Sequence, residues 1–116
     1  MPDVSETMTE IVDTLRAQGI RANLDPAKLN PPCAWVQPTQ IEHTLLGGGV
    51  VLTVAVWLIA TDRPPDITHA ALSALLSRAL VVLEPTEPTV INEAITLTQS
   101  GQPLPAYRIT TTREIC

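Results

Sequence analysis

Val50-Val51-Leu52-Thr53-Val54-Ala55-Val56-Trp57-Leu58-Ile59-Ala60 is the longest nearly unbroken apolar run in the chain, and its reading decides the fold. The run is rich in β-branched residues. Gly47-Gly48-Gly49 bounds it on one side and Asp62-Arg63-Pro64-Pro65 on the other, so it reads as a strand rather than a helix. It is about half the roughly 20 residues that a membrane-spanning helix needs. Its even positions are Val50, Leu52, Val54, Val56, Leu58 and Ala60, and its odd positions are Val51, Thr53, Ala55, Trp57 and Ile59. Both sets are apolar. An antiparallel sheet covered on one side alternates apolar with polar residues instead. Two explanations stand side by side. In one, the strand is central in a curled sheet and Trp57 is a core aromatic. In the other, the second face packs on another subunit, because monomers avoid exposing such a patch.

Outward from this strand, proline divides the chain. Its eleven prolines break helices and central strands, so the regular elements fall between them. Val4, Met8, Ile11, Val12 and Leu15 recur at helical spacing and predict an amphipathic helix over about 4–18, capped by Asp3 or Ser5 and ended by Gly19. Short strands are expected over about 20–24 and 33–36, the second stopped by Pro38. A further strand over about 40–46 leads through the glycines into the central strand, over about 50–60. Ile67, Ala71, Leu72, Leu75, Leu76, Ala79, Leu80 and Leu83 predict a second helix over about 66–83, capped by Asp66 or Thr68. Two threonine-bearing strands follow, over about 89–98 and 106–114. The expected fold class is α+β: a single domain with a mainly antiparallel sheet and two α-helices packed on one face.

Composition narrows the function. A chain of 116 residues suits one domain, which at this size hides roughly two-thirds of its unfolded surface. Its 7 basic and 12 acidic residues give a net charge of −5, with Lys28 the sole lysine, so a basic footprint for gripping phosphates is missing. Apolar content of 45% argues against disorder. The opening Met-Pro-Asp-Val-Ser-Glu lacks a signal-peptide profile, and Cys33 and Cys116 are too few for a disulfide framework, so free thiols in a reducing compartment are expected.

Catalytic signals are thin. Asp66 and His69 lie three apart on the second predicted helix, which is also ordinary helix-start chemistry. Cys33 lacks the surroundings of a thiol nucleophile and reads as a small core residue. The two histidines and two cysteines have no metal-ligand spacing. Gly47-Gly48-Gly49 has no following Gly-Lys-Ser/Thr and reads as a hairpin tip, with a role in assembly as the alternative. The sequence therefore predicts no enzyme, no catalytic residue, no cofactor and no metal.

Ala17-Gln18-Gly19-Ile20-Arg21-Ala22-Asn23-Leu24-Asp25-Pro26, Leu29-Asn30-Pro31-Pro32-Cys33-Ala34-Trp35-Val36 and Leu104-Pro105-Ala106-Tyr107-Arg108-Ile109-Thr110 resemble the small neck and tail-completion proteins of long-tailed bacteriophages infecting actinobacteria. Among them the resemblance is to the tail terminators and covers essentially the whole chain. It implies a structural virion protein at the head–tail junction, made in the host cytoplasm. It further implies a hexameric ring that stops polymerisation of the major tail-tube protein and docks to the head-connector or stopper protein. DNA would only pass through the lumen, and no membrane is involved. The alternatives are another neck protein, such as a head-completion or stopper protein, or a small cellular oligomeric scaffold or ligand-binding α+β domain. From the residues themselves, the expected interface contributors are Leu45, Gly47, Gly48, Gly49 and Trp57, with Arg108 and Arg113 as candidates for ion pairs between subunits.

Overall fold

The computed structural model describes residues 4–43, 49–97 and 101–115. The run from Val50 forms strand β3 (Val50–Ile59) at the centre of a five-stranded sheet ordered β1-β2-β3-β5-β4. Its neighbours β2 (Cys33–His43) and β5 (Pro103–Ile115) pair with it in antiparallel register along its whole length. At the edges lie β1 (Ala22–Asn23), which runs parallel to β2, and β4 (Val90–Thr96), antiparallel to β5. Helices α1 (Val4–Ala17) and α2 (Pro65–Ala79) share one core with the sheet. The α+β class, with a mainly antiparallel sheet and two helices, is the observed architecture.

The even face of β3 meets the helices. Leu52, Val54, Val56 and Leu58 are fully buried against Met8, Ile11, Val12 and Leu15 of α1 and Leu72, Leu75 and Ala79 of α2. Truncating one such leucine to alanine costs about 3 kcal/mol through lost transfer energy and the cavity left behind. In α1, Glu6 in the first turn and Arg16 in the last both suit the helix dipole. Gly19 then turns the chain at φ +78, a conformation that glycine adopts without a Cβ penalty.

Several sequence expectations need correction. Pro38 does not stop a strand: β2 is continuous from Cys33 to His43, and a register shift between Pro38 and Gln40 absorbs the missing N–H in a bulge. Helix α2 ends at Ala79 rather than Leu83. Leu80 and Val81 turn outward, while Leu83 returns to the core, its N–H donating a hydrogen bond to the Ala79 carbonyl. The buried stripe of α2 is Thr68, Leu72, Leu75 and Ala79, leaving Ile67 exposed. Neither Asp66 nor Thr68 caps this helix: Pro64 holds the cap position, and the Thr68 hydroxyl donates to the Arg63 carbonyl. Strand β5 begins at Pro103 rather than Ala106: Pro103 and Pro105 lie beyond the end of β3 and pair with Thr96 and Ala94 of β4. Asp3, proposed as a cap for α1, lies outside the described residues, as do residues 44–46 of the strand expected over about 40–46.

Candidate subunit interface

The odd face of β3 looks away from both helices and is only half covered. At one end Ile59, Cys33 and Ala106 are buried under Leu29, Leu97 and Leu104, which come from loops and from the start of β5. Loops of the same chain thus cover part of the second apolar face. Further along, Val51, Thr53 and Trp57 stay half-exposed.

Strand register assembles the exposed part. Trp35 pairs with Trp57, and Trp57 with Arg108. The two indoles stack at 6.5 Å between centroids, and the Arg108 guanidinium lies 5.4 Å from the Trp57 ring centre. Both Trp N–H groups are used: Trp57 Nε1 donates to Gln37 Oε1 at 3.0 Å, and Trp35 Nε1 to the Leu24 carbonyl at 3.1 Å. Arg108 Nη2 reaches Glu93 Oε1 at 3.5 Å, while its Nε is buried with no hydrogen-bond partner. Beside this group a recess of about 310 Å³ is lined by Gln40, Thr53, Thr110, Thr112, Arg108 and Glu87. An aromatic pair under a planar cation, rimmed by hydroxyls, combines apolar area with hydrogen-bond donors and acceptors, as subunit contacts do.

The expected interface residues divide into three groups. Trp57 and Arg108 come together on this open face. Arg113 does not join them: opposite Leu52 it falls on the helix side, half-buried, where its Nη1 donates to Thr111 Oγ1 and the Thr112 carbonyl. Leu45, Gly47 and Gly48 lie outside the described residues, and Gly49 stands half-buried just before β3. Trp35, Gln37 and Glu93 belong to the face and were missed.

The groups weighed for chemistry are dispersed. His69 Nδ1 lies 2.7 Å from the hydroxyl of Tyr107, joining α2 to β5. Burial pushes the Cys33 thiol up from its usual 9.0 to about 11, against a smaller lowering by Arg21. Among the described residues no three His, Cys, Asp or Glu side chains gather as a metal-binding group, and no helix is long and apolar enough to cross a membrane. Compared with known proteins, the chain matches no protein-family model and no curated protein sequence.

Proposed function

We propose that this chain is a structural subunit of a bacteriophage neck: a tail terminator that forms a ring, caps the tail tube and joins it to the head connector. One observation carries the assembly part of this reading. The sheet has helices on one side only, and its other side presents a half-exposed tryptophan pair beneath an arginine with an unused buried donor. Burying that face against another copy removes indole surface from water. The resemblance of residues 17–26, 29–36 and 104–110 to tail-completion proteins supplies the phage part. The net charge of −5 is compatible with a channel that DNA crosses without adhering, because phosphate binding relies on Lys and Arg.

The test is electron microscopy of tail-tube protein polymerised with increasing amounts of this chain. Capped tubes that shorten as the ratio rises are the expected result. Tube lengths independent of the ratio would sink the terminator function. Docking to purified head connectors but not to tubes would point to a stopper instead.

A further inference from the structure

Charge is divided between the two edges of the sheet. At the β1 edge, Arg16, Arg21 and Lys28 are exposed around a recess of about 500 Å³ that also includes Asn23 and Asn30. Arg78 joins them from α2, its Nη1 lying 3.4 Å from the Gly19 carbonyl. Four of the chain's 7 basic residues therefore collect in one place. Arg16 bonds the Ala22 carbonyl, and Asp25 in the same loop accepts from the Ala27 amide. Among the described residues the single ion pair is Arg108 with Glu93, so these four cations have no carboxylate partner.

The opposite edge is acidic. Thr86 donates its amide to the Thr110 carbonyl, and Thr111 donates its hydroxyl to the Glu84 carbonyl, so the segment before β4 lies along β5 and extends this edge. It carries the exposed Glu84 and Glu87, followed by Glu93 in β4, where Arg108 is the facing cation. Register aligns the two edges. Glu93 pairs with Ala106, Ala106 with Ile59 and Ile59 with Cys33, and one residue before the Ala22–Ala34 pair stands Arg21. Arg21 and Glu93 thus end the same row of the sheet.

We infer that copies of this chain associate edge to edge, the basic β1 edge of one against the acidic edge, Glu84 to Glu93, of the next. This rests on the reading of the chain as a ring-forming subunit and adds an edge contact to the contact proposed for the open face. A second copy laid beside the first with its helices on the same side brings β4 antiparallel to the neighbour's β1, Glu93 level with Arg21. The contact is heterologous, each copy using two different surfaces, which is the kind that generates rings. Opposite charges in facing positions steer and register such a contact, and like charges there oppose it.

Charge reversal tests it, read by native mass spectrometry and sedimentation, with circular dichroism verifying the fold. Arg21→Glu, Lys28→Glu and Arg78→Glu together give a copy acidic at both edges; Glu84→Lys with Glu87→Lys gives one basic at both. Each alone is expected to lose association by at least about 100-fold. Mixed together they are expected to reassemble in strict alternation, because every contact is again acid against base. Salt should weaken the wild-type assembly. If either reversal unfolds the chain, the neutral pairs Arg21→Gln with Lys28→Gln and Glu84→Gln with Glu87→Gln replace it, with a smaller loss expected. Variants that assemble as the wild type does would overturn the edge contact while leaving the ring intact. A wild-type chain that stays monomeric at every concentration and with tail-tube protein present would overturn both.

Discussion

Arg108 and Trp57 face each other across adjacent strands, the guanidinium carbon 5.4 Å from the ring centre, on the side of the sheet that no helix covers. The pair is half-exposed, so its value to the isolated fold is modest. Arg108→Ala should cost about 1 kcal/mol or less in urea unfolding. Trp57→Ala also loses the Trp35 stack and the Gln37 hydrogen bond and should cost about 2 kcal/mol. Both variants should fold yet associate more weakly than the wild type by sedimentation. Full association in Trp57→Lys would exclude this face from the contact.

Gly19 sets the path from α1 into the basic edge. At φ +78 a Cβ would meet Arg78 Nη1 at 3.6 Å, an ordinary contact, so the backbone conformation rather than crowding penalises a side chain. Gly19→Ala should therefore destabilise by about 1 kcal/mol, and Gly19→Asn by less, since asparagine tolerates this region better. Thermal unfolding of the two variants checks the order.

The helix-facing half of the fold was legible because two periodicities agree there. Met8, Ile11, Val12 and Leu15 sit in the core at helical spacing, and the even residues of β3 meet them at strand spacing. Arg113 was misplaced with Arg108 although residues five apart in one strand point to opposite faces. The bulge at Pro38 was not legible, because a proline reads equally as a strand end or as a bulge. Nor was the cover that Leu29 and Leu97 give to Ile59, since loop residues carry no periodicity. The charged edges depend on strand order. Arg21 and Glu93 become the two ends of one row only after β5 inserts between β3 and β4.

Thr111 is fully buried on the helix side, and its hydroxyl donates to the Glu84 carbonyl at 2.8 Å. This bond anchors the segment carrying Glu84 and Glu87 against β5. Thr111→Val keeps the shape and removes the donor, so a loss of about 1 kcal/mol is expected. Hydrogen exchange at the Thr86 amide, which bonds the neighbouring Thr110 carbonyl, should quicken in the same variant. Unchanged exchange at Thr86 would show that the hydroxyl does not hold the segment.

Cys33 gives a prediction in pH. Its thiol is buried and titrates near 11 instead of 9.0, with desolvation of the thiolate as the larger cause. At pH 8 the folded protein should resist alkylation at this position, and the urea-unfolded chain should react readily, with Cys116→Ser as background to leave one thiol. The linkage follows from the direction of the shift. Between about pH 9 and 11 the folded state holds a proton that the unfolded state has released, so stability falls as pH rises through that window. The decline belongs to the thiol only if Cys33→Ala reduces it. Urea midpoints at pH 8 and 10.5 for the two proteins decide this: equal declines would mean that Cys33 does not carry the shift.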